Sequence, residues 1–371
     1  MQVDVELTAR EEVPRWMVYG TPVFTVLAAL AVSAVALVAL DVSPLAAYEV
    51  MFVQTVTTEF GLTETVAKAV PLIFAGLAVY LPLKAQLWNI GAEGQLFMGA
   101  VVGTWIGLNV SLPMIGLLPL MFVGAGAAGA LWIAVPAWLR ARWGINEIIT
   151  TLLFTFVAAD IKNYVVRGPM QAPGANFPQT AQLPVAGQLP TVPGVGLPVG
   201  VLLAVVFVAL TYLLVNHTRL GFEITFIGAN DEAAEQAGMS TSKIYLFVLM
   251  VGGAFAGFAG ISEISGVQTR LRAFFAPGYG FTAIPIALLG RNGAFQVLLA
   301  ALFFAVIFVG GSSVQTLMSV PAAIVDVIQA LIILFLITAE FFKRYSVALS
   351  VGRKPGPEPQ AAARAEPEGE L

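Results

Sequence analysis

The sequence predicts an all-α, polytopic membrane protein with about ten transmembrane segments and with both termini in the cytoplasm. Of its 371 residues, 58% are hydrophobic and only 11% are charged, whereas a soluble globular chain carries roughly 25% charged residues. The mean hydropathy is +0.87, and long apolar runs recur along most of the chain. Together these observations indicate a chain that crosses the bilayer repeatedly.

Ten apolar stretches reach or approach the roughly 20 residues that a spanning helix needs. The eighth is too short to span as a plain helix, and the third follows directly on a polar run, so we expect both to be broken or tilted elements. In chain order the stretches cover residues 19–40, 65–83, 88–108, 114–137, 145–166, 197–215, 243–264, 280–289, 295–310 and 321–341.

The orientation follows from the basic residues. If the N-terminus is cytoplasmic and the segments alternate, 13 of the 18 lysines and arginines fall on the cytoplasmic side, as the positive-inside rule favours. This predicts a cytoplasmic N-terminal segment (1–18), a transmembrane domain (19–341) and a disordered cytoplasmic tail (342–371). A Pro-rich loop (167–198) then lies outside, as a spacer or as a landing surface for an outside partner, and a second long loop (216–242) lies in the cytoplasm.

A polar run, LKAQLWNIGAEGQ at 83–95, interrupts the apolar sequence of the first half. Polar and charged groups persist at membrane depth only where they face protein or a water-filled path. We therefore interpret the run as a break that lines a polar route, in preference to an ordinary surface loop. Asn89, Glu93 and Gln95 are the candidates for its polar lining, and Trp88 offers an aromatic face to a solute.

The second half carries a weak echo of this arrangement. A Gly-rich stretch at 252–260 is followed by a polar, Gly-containing stretch at 263–280. Interrupted segments at matching positions of two halves are typical of transporters. Glu263, Tyr279 and Phe281 lie in or next to this second stretch and are the corresponding candidates for the translocation pathway.

Other chemistry-bearing patterns have simpler explanations. Residues 124–129 (GAGAAG) match a dinucleotide fingerprint, but they lie inside an apolar run with no preceding strand, so close helix packing explains them better. The chain has no cysteine, a single histidine (His217) and no Walker A sequence, which excludes thiolate chemistry, a His-rich metal site and an ATP site of that type. Asp160 and Lys162 lie near the outer end of the fifth stretch and are expected to snorkel to the membrane surface.

The cytoplasmic loop contains a short helix-forming run at 231–237. Asn230 is a plausible N-cap for this helix, and Gly238 is a plausible residue just beyond its C-terminus. A short capped helix on a cytoplasmic loop serves either as a docking element or as an ordinary surface helix, and the pattern alone favours neither.

Several motifs in order resemble the permease subunits of ABC importers for nucleosides, a branch that also serves simple sugars and branched-chain amino acids. The resemblance covers about residues 71–341, and no single motif in it is as specific as the combination. The matching stretches are PLIFAGLAVY (71–80), NIGAEGQ (89–95), GINEIITT (144–151), LGFEITFIGANDEAAEQAG (220–238), GAFAGFAGISE (253–263) and GYGFTAIPIALLGR (278–291).

The resemblance implies a coupling helix that a separate ATPase receives, and it implies the partners of such a system. These are an ABC ATP-binding subunit, a second, related permease and an extracytoplasmic nucleoside-binding lipoprotein, in the plasma membrane of a prokaryote. No cofactor is expected in this chain, since ATP and Mg²⁺ would belong to the ATPase, and no nucleic-acid partner is expected. The coupling motif falls on Gly228, Asn230, Ala233, Ala234 and Gly238.

We therefore expect a transport subunit, not an enzyme, that translocates nucleosides by alternating access. The same machinery carrying simple sugars is the alternative, since aromatic and amide groups serve either ligand. The rival from another class is a secondary transporter that couples ions or protons through Glu93 and Glu263. The docking-type loop at 220–238 argues against that rival, because a secondary transporter has no ATPase to receive it.

Overall fold

Helices make up most of the structure, a computed structural model that describes residues 2–9, 15–192, 198–275 and 278–352. Short π-helical turns cover Glu49–Gln54 and Ile264–Gln268. The α-helices are, in chain order, α1 (Arg15–Val38), α2 (Pro44–Tyr48), α3 (Thr55–Thr57), α4 (Glu59–Lys84), α5 (Ala92–Asn109), α6 (Met114–Trp143), α7 (Glu147–Arg167), α8 (Gly200–His217), α9 (Arg219–Ala229), α10 (Asp231–Gln236), α11 (Thr241–Glu263), α12 (Tyr279–Leu289), α13 (Ala294–Met318) and α14 (Ala322–Arg344).

Each of the ten predicted apolar stretches coincides with a helix. Within the described residues, seven helices are long and apolar enough to cross a membrane, so the protein is a multi-pass membrane protein. The prediction of a short eighth segment is confirmed, because α12 has only 11 residues. In the third segment the non-helical break lies between the end of α4 at Lys84 and the start of α5 at Ala92, and α5 itself is continuous. The count of ten spans and the cytoplasmic position of the termini stay predictions.

The ends of the described chain depart from the all-helical prediction. Strand β1 (Gln2–Ala9) pairs antiparallel with strand β2 (Tyr345–Gly352). Apolar and polar residues alternate along QVDVELTA, and large apolar residues occupy every second position of YSVALSVG, which is the two-residue period of a strand. The segment predicted as a disordered tail therefore begins with the end of α14 and with β2, and its residues 353–371 lie outside the described residues.

Small residues bring α5, α6 and α11 into close contact. A Cβ atom added at Gly257 would overlap the carbonyl oxygen of Ala125, and one added at Gly253 would lie 2.6 Å from the carbonyl oxygen of Gly129. Backbones this close are typical of membrane helices that pack through small residues. The GAGAAG run at 124–129 thus lies in a helix–helix contact, as its position in an apolar run predicts.

Gly257→Val is expected to destabilise the protein by about 1–3 kcal/mol, the usual effect of overpacking a tight contact. The two helices would have to separate, because the atom that the new side chain meets belongs to the backbone of α6. Thermal unfolding of the purified protein measures the effect. Gly20→Val is the matched control, since nothing lies within 4 Å of a Cβ there; equal unfolding temperatures for the two variants would contradict the packing described.

The Pro-rich loop at 167–198 is anchored to the chain that follows α11. The Thr180 amide donates to the Leu271 carbonyl (2.9 Å), the Ala273 amide donates to the Pro178 carbonyl (3.0 Å), and two more bonds of this kind follow along the loop. The described part of this loop is therefore held against the chain that follows α11, and its interpretation as a spacer stays a prediction. Its use as a landing surface for an outside partner stays a prediction.

Candidate functional site

The polar break between α4 and α5 is held by its own amides. Asn89 Nδ2 donates to Gln95 Oε1 (2.9 Å), and Gln95 Nε2 donates back to Asn89 Oδ1 (2.7 Å). Asn89 Nδ2 also lies 3.2 Å from the carbonyl oxygen of Ala78 in α4. Both amides are buried. In this conformation they stabilise the break by satisfying each other, which is how buried polar groups avoid a desolvation penalty.

The same break is tied to the start of α7. The backbone amide of Trp88 donates to Glu147 Oε1 (3.1 Å), and a Cβ on Gly91 would come within 2.6 Å of the Thr151 carbonyl oxygen. Trp88 is half-buried and Glu147 is buried. The GINEIITT motif therefore contains the residue that fixes the backbone ahead of Asn89, a role that its sequence alone did not indicate.

Glu93 fixes the beginning of the short helix α12. Its Oε1 accepts from the Gly278 amide (3.0 Å) and its Oε2 accepts from the Gly280 amide (2.6 Å). Amide groups in the first turn of a helix have no partner within the helix and favour a negative charge. With 11 residues, α12 is only about 16 Å long, too short to cross a hydrocarbon core of about 30 Å. Glu93 thus anchors the N-terminus of a half-helix.

Lys162 is buried beside this anchor and does not snorkel as predicted. Its ammonium donates to the carbonyl oxygen of Phe275 and lies 4.5 Å from the centre of the Phe97 ring. A buried ammonium is stabilised by such carbonyl and aromatic partners. The prediction is wrong for Lys162, because both partners are far from it in the sequence and so could not be anticipated. Asp160, on the same helix, is exposed.

A charged cluster joins α4, α11 and α12. Lys68 Nζ lies 2.9 Å from Glu263 Oε1 and 2.9 Å from the hydroxyl oxygen of Tyr279. Gln268 Nε2 donates to the same Glu263 oxygen (3.0 Å). The Glu263 side chain is 1% exposed and that of Lys68 is 22% exposed. Two of the residues predicted for the pathway, Glu263 and Tyr279, are thus brought together, and Lys68 joins them.

This cluster forms one wall of a cavity of about 630 Å³ under the Pro-rich loop. The cavity combines charged and amide groups with aromatic rings, which is the usual composition of a small-molecule site. Phe281, predicted to offer a stacking face, is 44% exposed and is absent from this lining. The lining residues are Lys68, Phe177, Pro178, Gln179, Glu263, Gln268, Arg270, Arg272, Phe274, Phe275 and Tyr279.

The loop between α8 and α11 forms α9 and α10, and the capped helix predicted there is confirmed. Asn230 Oδ1 accepts from the Ala233 amide (2.9 Å), and Gly238 has a φ of +80°. Ala234 is buried within the chain. Among the predicted coupling residues, Gly228 has a different position, since a Cβ on it would overlap the carbonyl oxygen of Lys84 at the end of α4. This loop therefore contacts the polar break directly.

A family model described as "Branched-chain amino acid transport system / permease component" matches residues 61–337. This range covers well over half of the chain and includes the break, the charged cluster and the α9–α10 loop. The chain belongs to this family of ABC importer permeases. Such permeases are transport subunits and not enzymes, and they work in general with an ATPase and a binding protein.

Three relatives of the permease are named for different solutes. It is 61% identical to the glucose ABC transporter permease protein TsgB13 of Haloferax volcanii, over 95% of this chain and 96% of that protein. It is 30% identical to the guanosine ABC transporter permease protein NupP of Bacillus subtilis, over 90% of this chain and 95% of that protein. It is 27% identical to the nucleoside ABC transporter permease protein NupB of Lactococcus lactis, over 85% of this chain and 89% of that protein.

Proposed function

We propose that this permease conducts a neutral, polyhydroxylated solute across the plasma membrane of a prokaryote. The first candidate is a monosaccharide such as glucose. Import would be driven by a separate ATPase, together with a second permease and an extracytoplasmic binding protein. The cavity walled by Lys68, Glu263 and Tyr279 is the observation that carries this proposal. It supplies hydrogen-bonding groups and ring faces in one cavity.

The chemistry of the cavity suits a sugar. A sugar hydroxyl both donates and accepts, so it can bond to the Glu263 carboxylate and to the Lys68 ammonium in place of the bond that joins them. The side-chain amides of Gln179 and Gln268, which also line the cavity, each offer an N–H donor group and a carbonyl acceptor. Phe177 and Phe274 present exposed rings, which suit the apolar face of a pyranose. The 61% identity to a glucose permease over nearly the full length supports this choice of solute.

A nucleoside is the second candidate. The NIGAEGQ motif at 89–95 resembles that of nucleoside permeases, and two such relatives match at 30% and 27% identity. The ribose would use the same polar groups, and the base would stack on Phe177 or Phe274. Family membership argues against the ion-coupled secondary transporter, and the contacts of Glu93 with the amides of α12 give that carboxylate a structural task.

The exposed side of α10 is the proposed contact for the ATPase. Asp231, Glu232 and Glu235 are exposed, whereas Ala234 faces the chain. A partner surface with basic groups would complement these carboxylates. In this arrangement Asn230 and Gly238 shape the helix, and Ala234 packs it onto the protein.

Uptake by intact cells tests the proposed solute. Cells that lack this gene, and the same cells carrying it on a plasmid, are given labelled glucose or labelled guanosine. We expect glucose uptake to depend on the gene, to resist excess unlabelled guanosine and to survive an uncoupler while ATP is maintained. Gene-dependent uptake of guanosine alone would replace the sugar with the nucleoside, and uptake of neither solute would contradict both.

A further inference from the structure

A second cavity adjoins the first. It has a volume of about 610 Å³, lies between α3, α4 and α13, and shares Lys68 and Tyr279 with the cavity under the Pro-rich loop. The two shared side chains bond to each other (2.9 Å) and to Glu263. Lys68 and Tyr279 therefore border both cavities, and Glu263 borders the first.

The second cavity is lined by hydroxyl groups that are ready to accept hydrogen bonds. Ser313 Oγ donates to the Val309 carbonyl (3.0 Å), and Thr316 Oγ1 donates to the Ser312 carbonyl (2.9 Å). Because each hydroxyl hydrogen is used by the helix backbone, the oxygen lone pairs are left for another donor. The hydroxyls of a sugar are suitable donors.

Glu64 provides the second cavity with a carboxylate. It lies one helical turn before Lys68 on α4 and lines this cavity. Over the part of the chain that the structure describes, the Glu64 carboxylate has no hydrogen bond or ion pair. A glutamate four residues before a lysine is the favourable order for a helical ion pair. Lys68 thus has one carboxylate on each side, Glu263 toward the first cavity and Glu64 toward the second.

We propose that the second cavity is a further binding chamber for the polyhydroxylated solute and that Lys68 is the barrier in front of it. With Lys68 bonded to Glu263 and Tyr279 the connection is closed. When a solute hydroxyl takes the place of Lys68 on Glu263, the ammonium turns to Glu64 and the connection opens. This inference rests on the proposed function, because it assigns the next position of the same solute.

Site-directed labelling tests the chamber, because the natural chain contains no cysteine. The complete transporter with Ser313→Cys, in membrane vesicles, is labelled with a membrane-impermeant sulfonated methanethiosulfonate, and the modification of this subunit is followed by mass spectrometry. Gln315→Cys is the matched control, since Gln315 is an exposed residue of the same helix that is absent from the cavity lining. Each variant is first checked for glucose uptake.

Glucose at about ten times its half-saturating concentration is expected to slow the labelling of Ser313→Cys about tenfold, as occupancy of a single site predicts. Labelling of Gln315→Cys should not change. Equal rates with and without glucose in a Ser313→Cys transporter that still imports glucose would overturn the chamber. If the wild type imports guanosine and not glucose, the proposed solute is wrong, but the proposed chamber can still be tested. The labelling of Ser313→Cys is then compared with and without guanosine, and equal rates would overturn the chamber.

A second variant tests the exchange of partners by Lys68. Glu64→Gln removes the charge that would receive the ammonium, so we expect the maximal rate of uptake to fall severalfold while the KM stays near that of the wild type. Glu59→Gln, at an exposed position of the same helix, is the control and should leave both values unchanged. Unchanged uptake by a well-expressed Glu64→Gln transporter would overturn the exchange.

Discussion

Glu93→Ala is expected to abolish uptake and to lower the free energy of unfolding by about 3 kcal/mol or more. The carboxylate accepts from two amides at the start of α12, and a hydrogen bond to a charged group contributes about 1.5–3 kcal/mol. Its loss would leave both amides without these partners and would leave Lys162 without a neighbouring negative charge. Since Tyr279 is the first residue of α12, the charged cluster would lose its position together with the helix.

Two comparisons separate this effect from a general loss of folding. Glu93→Gln keeps one acceptor oxygen and should retain part of the stability and of the uptake. Glu59→Ala removes an exposed carboxylate and should behave as the wild type. Thermal unfolding and initial uptake rates of the three variants provide the measurement. Glu93→Ala with wild-type uptake would contradict the anchoring of α12 by this carboxylate.

Gly228→Ala is expected to reduce uptake at least about tenfold, which corresponds to about 1.4 kcal/mol, while the protein stays in the membrane. The added methyl group would overlap the Lys84 carbonyl oxygen, so α9 would have to move away from the end of α4. In the proposed function this contact carries the movement of the ATPase from α10 to the polar break. Separating the two helices should therefore leave ATP hydrolysis less coupled to uptake.

The measurement is the ratio of glucose imported to ATP hydrolysed by the reconstituted transporter. Gly116→Ala is the control, because a Cβ at Gly116 meets only ordinary contacts at 3.7 Å or more and alanine favours a helix at both positions. A lower ratio for Gly228→Ala alone is the expected result. An unchanged ratio would show that the contact between α9 and α4 does not transmit the movement.

Local sequence was sufficient to predict the helices and the position of the break. Apolar runs of spanning length predict helices whatever their partners, because lipid and protein interior both favour them. The polar groups of NIGAEGQ mark the break because polar groups are costly within such an apolar environment. The cap of α10 was equally predictable, since Asn230 and Ala233 are only three residues apart.

The partners of the charged groups were not predictable in this way. Lys68 and Glu263 are separated by 195 positions, and no periodic pattern relates them. The burial of Lys162 is decided by contacts of the same long-range kind, with Phe97 and Phe275. The amides of Asn89 and Gln95 were expected to line a route, but they bond to each other, so their lining role stays a prediction for another conformation.

Uptake by proteoliposomes that contain the complete transporter, comparing wild type with Glu263→Gln, tests the central claim most directly. The variant keeps the size of the side chain and removes the charge that the solute and Lys68 would share. With ATP and the binding protein present, we expect the wild type to accumulate glucose and the variant to show a KM at least about tenfold higher, in line with the loss of a charged hydrogen bond. The same KM for both proteins would contradict the passage of the solute beside Glu263.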